Sequence, residues 1–243
     1  MRDTFDRVAA AAVVDVPTLA LPFVLSVIAG STDVIGFLGL NGLLTSHITG
    51  NLVILAGHVI AGNTAILSHV LSLPVFMLVL LVVSLFASHL KRIGRAPLRP
   101  LLSVQLLLLL AFLVLCVWRR EPLDTDSALA VVAGMCGVAA MAVQTATVQV
   151  SLTDSPSTAV MTTNVSLFIL SVSDLLRADD ATAVAKARKR AIHVLPVIVG
   201  FALGCALGAA GQAAYGLWSL GLPTALALLA VAMAWTVHRE KGE

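Results

Sequence analysis

The chain has 243 residues, of which 59% are hydrophobic and only 12% are charged. Its mean hydropathy is +1.00. Because soluble domains carry about 25% charged residues, this composition excludes an ordinary soluble protein and predicts an all-α, polytopic integral membrane protein. The net charge of +2 is too small to indicate binding to nucleic acid.

Apolar runs long enough to cross a bilayer recur along the whole chain. A hydrocarbon core of about 30 Å requires about 20 residues of helix. Six runs meet this length: 17–40, 69–90, 98–118, 127–152, 192–215 and 218–238. The sequence therefore predicts a single transmembrane domain over residues 1–243, built on six long helices.

Two further runs, 43–62 and 157–176, are shorter in apolar content and interrupted by Thr, Asn, Ser or Gly. Both contain the pattern T-x-x-x-T-x-N, once at Thr45–Asn51 and again 113 residues later at Thr158–Asn164. This repetition predicts an internal duplication, with one copy in 17–118 and the other in 127–238. Such repeats recur in transporters, where broken helices form the binding site.

The basic residues distinguish two topologies. If the two interrupted runs are re-entrant, thirteen of the fifteen Lys and Arg residues lie on the cytoplasmic side and the halves are inverted. If all eight runs cross, eleven lie inside and the halves are parallel. The positive-inside rule favours six spans, with eight as the alternative. Both topologies place the two termini in the cytoplasm, and we expect the protein in the bacterial inner membrane.

Asp33 is the only acidic residue well inside one of the six long runs. An intramembrane carboxylate must face protein or water, or find a partner, so Asp33 is a candidate for coupling to a proton or cation. Two alternatives remain: Asp33 is hydrated near the outer boundary, or it caps a segment beginning at Val34, with Ser31 and Thr32 assisting. Gln144 stands at the matching place in the second half.

The interrupted runs carry further candidates for contact with a solute. A helix beginning just after Asn51 or Asn164 would point its positive end toward the membrane centre, which favours an anion, while the opposing carbonyls favour a cation. The alternative role of these side chains is helix capping and hydrogen bonding between helices. With Asp33 and Gln144, the predicted pathway residues are Thr45, Thr49, Asn51, Thr158, Thr162 and Asn164.

His47 and His58 are candidates for a proton relay. They lie eleven residues apart, so they share a helix face only if the intervening segment is continuously helical, which Gly50 makes doubtful. No cysteine or second carboxylate stands nearby, so no metal site is predicted. The chain has no nucleophile elbow, phosphate loop, dinucleotide fingerprint or H-E-x-x-H, and we expect neither an enzyme nor a cofactor.

Four glycines recur at helical spacing in the segment VGFALGCALGAAG: Gly200, Gly204, Gly208 and Gly211. Such a small-residue face lets another helix approach closely. The sequence does not decide whether that helix belongs to the same chain or to another copy, so a homo-oligomer formed through glycine-rich faces is a further expectation.

Three short segments resemble a known family: G-x-x-D-x-x-G-F at Gly30–Phe37, T-G-N at Thr49–Asn51, and the second-half counterpart Thr162–Asn164. They resemble the YoaK family of uncharacterised bacterial multipass membrane proteins, over roughly residues 15 to 240. The resemblance implies a multipass membrane protein in which Asp33 and Asn51 matter, and it supplies no activity. The second half departs from T-G-N by having Thr163 in place of glycine.

Together these features predict a secondary transporter or channel-like permease for a small solute or ion, with its site between the two polar broken segments. The alternative is a non-transporting membrane scaffold or a subunit that binds a partner.

Overall fold

The computed structural model describes residues 16–62, 67–118, 127–153, 155–158, 160–177 and 180–239. Within these ranges the chain forms eight α-helices and one 3-10 helix, and no strand. The helices are Val16–Gly39 (α1), Ile48–Ile60 (α2), Leu67–Arg92 (α3), Leu98–Val117 (α4), Ala128–Ser151 (α5), Met161–Arg177 (α6), Ala181–Tyr215 (α7), the 3-10 helix Gly216–Leu220, and Gly221–Arg239 (α8). The predicted all-α class is confirmed.

Five stretches of the described chain are long and apolar enough to cross a membrane. They are Leu19–Gly39, Leu67–Arg92, Leu98–Val117, Ala128–Ser151 and Ala181–Trp235. The count differs from the six predicted because the last stretch, of 55 residues, includes α7, the 3-10 helix and α8. This length and apolarity support a polytopic membrane protein.

The closest helix packing joins α1 to α7. A Cβ added at Gly200 would lie 2.8 Å from the carbonyl oxygen of Phe23, and one at Gly208 would lie 2.9 Å from that of Ser31. A Cβ at Gly204, between them, would collide with the carbonyl of Val27. The residue numbers rise together on both helices, so α1 and α7 run parallel. The glycine face predicted from the sequence therefore contacts α1 of the same chain.

Contacts elsewhere give the other helix directions. Gln144 in the middle of α5 donates to the carbonyl of Leu25, and Gly134, near the start of α5, faces Leu43 beyond the end of α1; α5 is therefore antiparallel to α1. At the end of α3, Lys91 donates to the carbonyl of Val150 at 3.0 Å. The ends of α3 and α5 thus lie together, and α3 runs parallel to α5.

The helices of the two halves pack in a reciprocal pattern. In the first half α1 packs against α7 and α8 of the second, and in the second half α5 packs against α3 and α4 of the first. Likewise α2 packs on α3 as α6 packs on α7, and α4 meets α8. If α1, α2, α3 and α4 are exchanged with α5, α6, α7 and α8, respectively, these pairs of packed helices map onto one another.

The segment between α1 and α3 turns back into the bundle. The backbone N–H of Thr45 donates to Asp33, six residues before the end of α1, at 2.7 Å. From this depth α2 rises through 13 residues, about 20 Å at 1.5 Å per residue. His69, at the start of α3, lies beside Gly42 just beyond the end of α1. The chain therefore leaves and re-enters the bundle on one side.

The observed helix boundaries correct two expectations. Asn51 and Asn164 were expected to precede their helices, but α2 begins at Ile48 and α6 at Met161. Each asparagine is therefore the fourth residue of its helix. The predicted span 192–215 is also only the later part of α7, which extends back to Ala181 because Asp180 caps it by accepting the N–H of Ala183 at 2.6 Å.

Candidate functional site

Asp33 lies at the centre of the first break, and its carboxylate fastens the returning loop to α1. Oδ1 accepts the backbone N–H groups of Thr45 and Ser46, at 2.7 and 2.6 Å, and the Thr45 hydroxyl at 2.9 Å. Oδ2 accepts the Ser46 hydroxyl at 2.7 Å. Asp33 is only 3% exposed, so these donors compensate a carboxylate that would be costly at membrane depth.

His47 connects this carboxylate to a less buried position. Its Nδ1 lies 2.5 Å from Oδ2 of Asp33, and the side chains are 35% and 4% exposed, respectively. An ionised carboxylate only accepts, so Nδ1 carries the hydrogen of this bond. The imidazole also packs edge-on against Phe201 of α7, with ring centroids 5.2 Å apart. The pair is chemically able to pass a proton between Asp33 and the partly exposed ring.

Neither alternative role foreseen for Asp33 matches its position. Helix α1 continues through Val34 to Gly39, so Asp33 does not cap a new segment. Ser31 and Thr32 donate to the carbonyls of Val27 and Ile28 in their own helix, at 2.8 and 2.7 Å. Asp33 is also buried, so it is not a hydrated residue at the outer boundary. Asp33 is an internal acceptor for the loop 44–47.

Asn51 closes the same loop from the other side. Its Oδ1 accepts the backbone N–H of Leu44 at 2.9 Å, and its Nδ2 donates to the Leu44 carbonyl at 2.7 Å. The side chain thus replaces both backbone partners that Leu44 lacks where the helix is broken. Because the amide reaches back seven residues, it fixes the direction in which α2 begins.

The second break uses the same closure with a different core. Asn164 donates to the carbonyl of Ser157, again seven residues back, at 2.6 Å. In place of a carboxylate stands the amide of Gln144, whose Nε2 donates to the Leu25 carbonyl at 2.9 Å and to the Thr158 hydroxyl at 3.0 Å. The second break is therefore also fastened to α1, but without a charged group among these residues.

Gln105 completes the second cluster and was missed by the sequence reasoning. Its Nε2 donates to Oε1 of Gln144 at 2.7 Å, and the residue is 1% exposed. The available signal was a lone amide in the stretch Val104–Val117, which is otherwise apolar. Ser46 was missed as well, since it occupies a variable position of T-x-x-x-T-x-N and has no counterpart in the second copy, where Ala159 stands.

The remaining predicted residues lie apart from these clusters. Thr49 and Thr162, at matching positions of α2 and α6, are exposed. Helix α2 is continuous through Gly50, yet His47 and His58 stand at its opposite ends, about 16 Å apart along the axis. His58 instead meets His69, with ring centroids 4.9 Å apart. In the part of the chain that the structure describes, no group of three His, Cys, Asp or Glu side chains is placed to hold a metal ion.

The two clusters lie on α1 at different depths. Leu25 and Asp33 are eight residues apart, which corresponds to about 12 Å along the helix. A cleft of about 270 Å³ lies at the end of α5, lined by Val148, Gln149, Leu152, Thr153, Ser155 and Ser157. Two polar clusters thus contact α1 at different depths, and Thr158 of the second is the chain neighbour of Ser157, which lines the cleft.

Comparison with known families matches residues 21–233 to the family described as "Protein of unknown function (DUF1275)". No curated protein and no solved structure matches the chain. An uncharacterised family is thereby supported, while the name YoaK remains a resemblance read from the sequence.

Proposed function

The chain belongs to this DUF1275 family, whose description assigns no activity, and we propose from the geometry that it is a secondary transporter or channel-like permease for a small solute or ion. The observation that carries the proposal is the pair of helices, α2 and α6, that start inside the bundle from loops closed by Asn51 and Asn164. Irregular backbone at membrane depth is tolerated where protein or a water-filled cavity surrounds it, and transporters place their sites there.

The proposed topology has six spans and two re-entrant segments. The antiparallel α1 and α5, and the reciprocal packing of the two halves, support an inverted duplication. In this arrangement the end of α3, the start of α7 and the end of α8 share one side, where Arg99 donates to the Ala234 carbonyl at 3.1 Å. Their basic residues make this side cytoplasmic. Inverted halves suit alternating access, in which one half rocks against the other.

Asp33 and His47 are the proposed coupling pair. The imidazole is the more exposed partner, and the carboxylate is held by the loop that starts α2. A change of protonation at this pair would alter how firmly the loop is bound to α1. Proton binding would thereby be linked to the position of α2, as coupled transport requires.

Flux measurements test this function directly. Purified protein in liposomes should carry a solute or proton flux that Asp33→Asn and Asn51→Ala each reduce by about tenfold. The first variant removes the carboxylate that accepts from loop 44–47, and the second removes the hydrogen bonds to the backbone of Leu44. Ser88→Ala is the control, because Ser88 is exposed and donates only to the Ser84 carbonyl of its own helix. Unchanged flux in both site variants would reject this site assignment.

Cysteine labelling tests the topology. In a variant whose native cysteines are replaced by alanine, Leu67→Cys should react with an impermeant maleimide from outside, and Arg95→Cys only from inside. An eight-span arrangement would make Leu67→Cys react from inside instead.

The alternative function is a membrane scaffold. If no solute class gives flux while a partner co-purifies, the scaffold hypothesis replaces the permease hypothesis.

A further inference from the structure

A buried amide oxygen beside the second break lacks a hydrogen-bond donor. Gln105 points its Nε2 at Gln144, but no described residue donates to its Oε1. The side chain is 1% exposed, and an unpaired acceptor in an apolar interior costs free energy. A group that supplies an N–H or O–H donor would remove this cost.

The same cluster also presents a donor. Gln144 uses its Nε2 hydrogens on the Leu25 carbonyl and on the Thr158 hydroxyl oxygen. Because Thr158 accepts this bond, its own hydroxyl hydrogen is left to donate. The Gln144 amide therefore bonds both Gln105, which has a free acceptor at Oε1, and Thr158, whose hydroxyl can donate.

The cleft at the end of α5 is lined by residues that are close to this cluster along the chain. Val148 and Leu152, which line it, lie four and eight residues after Gln144 and therefore on the same helix face. Ser157, also in its lining, is the chain neighbour of Thr158. A small molecule entering from the end of α5 would thus approach the Gln105–Gln144–Thr158 cluster.

Charge decides the class of molecule. The described side chains that line the cleft and form the cluster are uncharged; Asp154, between the lining residues Thr153 and Ser155 along the chain, lies outside the described residues. The positive end of α6 lies at this break and disfavours a cation. Lys91 does the same, because it donates to the carbonyl of Val150, which lies between the lining residues Gln149 and Leu152 along the chain. An anion would bring another acceptor against the unpaired oxygen of Gln105.

We infer that the Gln105–Gln144–Thr158 cluster binds a small neutral solute carrying N–H or O–H donors, such as an amide or an alcohol. The inference rests on the permease proposed above for the route of entry. Binding itself is measurable without transport, so the two can fail separately.

Three probes of nearly one shape test the class: acetamide, acetate and acetamidinium, with glycerol as the alcohol. Equilibrium binding of each labelled probe is measured on the purified full chain. Acetamide or glycerol should bind saturably, and Thr158→Val and Gln105→Met should each weaken that binding about tenfold, the equivalent of one hydrogen bond. Thr147→Val is the matched control, because its buried hydroxyl donates only to the Val143 carbonyl of its own helix.

The outcomes separate the claims. The site is supported if acetamide or glycerol binds and this binding weakens in both site variants. The unfolding temperature of Thr158→Val should then equal that of Thr147→Val, which shows that the loss of binding does not come from a loss of stability. Selective binding of acetate or acetamidinium overturns the assignment of a neutral solute. If no probe binds saturably, the cluster holds only a structural water, and the proposed site is overturned as well. Uptake into liposomes is measured in parallel: binding without uptake of any probe upholds the site and rejects the permease.

Discussion

The first break closes around a carboxylate and the second around an amide, although an asparagine seven residues on fastens the backbone in both. Asn51 reaches Leu44 and Asn164 reaches Ser157, so the backbone requirement of a broken helix is met in the same way twice. The cores differ because Asp33 takes five donors from its own loop, whereas Gln144 bridges to other helices. The closure is therefore structural, and the difference in charge is where the two halves can differ in function.

The largest effect is expected at the charged core. Asp33→Ala should lower the free energy of unfolding by on the order of 3–5 kcal/mol, since it leaves the donors of loop 44–47 without their buried acceptor. Gln144→Ala should cost less, because it removes only neutral hydrogen bonds. Thermal unfolding in detergent gives both values. A larger loss in Gln144→Ala would contradict the view that charge distinguishes the two breaks.

The next effect concerns α1, the helix that both breaks share. Gly204→Ala should destabilise the protein by about 1–3 kcal/mol, because the added methyl meets the backbone of Val27 and forces α7 away. Gly57→Ala is the control: apart from its chain neighbours and the nearby backbone of its own helix, no described atom lies within 4 Å of its added Cβ, so helix propensity should make it neutral or slightly stabilising. Equal stability of both variants would show that the α1–α7 contact tolerates separation.

The asparagines themselves should differ modestly. Asn51→Ala removes a donor and an acceptor from Leu44, whereas Asn164→Ala removes one donor from Ser157. With about 1 kcal/mol for each net hydrogen bond, the first variant should be the less stable by about that amount. Chemical denaturation of the two single variants and of the double variant measures it. A reversed order would mean that the two closures are not equivalent.

The smallest effect is expected outside the membrane, at the acidic cap of α7. The N–H of Ala183 and the hydroxyl of Thr182 donate to Asp180 and hold its pKa below the ordinary 3.8. A lowered pKa stabilises the folded state above that ordinary value, and this contribution is lost as pH falls through the folded pKa. Hydrogen exchange of the first turn of α7, corrected for intrinsic rates, should quicken at acid pH. In Asp180→Ala it should be fast at neutral pH too.

Much of the fold followed from local patterns in the sequence. Long apolar runs predicted the helices, and the spacing of Thr45 and Asn51, repeated at Thr158 and Asn164, located both breaks. The exact starts of α2 and α6 were missed by four residues, because the helices begin at Ile48 and Met161 rather than just after Asn51 and Asn164. Asparagine was read as a residue before the helix, but its reach of seven residues back places it inside the first turn.

The candidate site was only half visible in the sequence. Asp33 stood out because an acidic residue is rare in an apolar run. Gln105 did not, since its meaning depends on Gln144, which lies 39 residues away. The reach of Gln144 to the Leu25 carbonyl across 119 residues could not be read from any local pattern.

The sequence by itself determined the membrane class, the number and place of the polar interruptions, and the glycine face of α7, because composition and helical spacing are properties of neighbouring residues. The tertiary structure decided which helix that face contacts, that α1 and α5 run in opposite directions, and that Asp33 is saturated while Gln105 is not. Those facts depend on hydrogen bonds and close packing between distant segments, which form only when the helices are assembled.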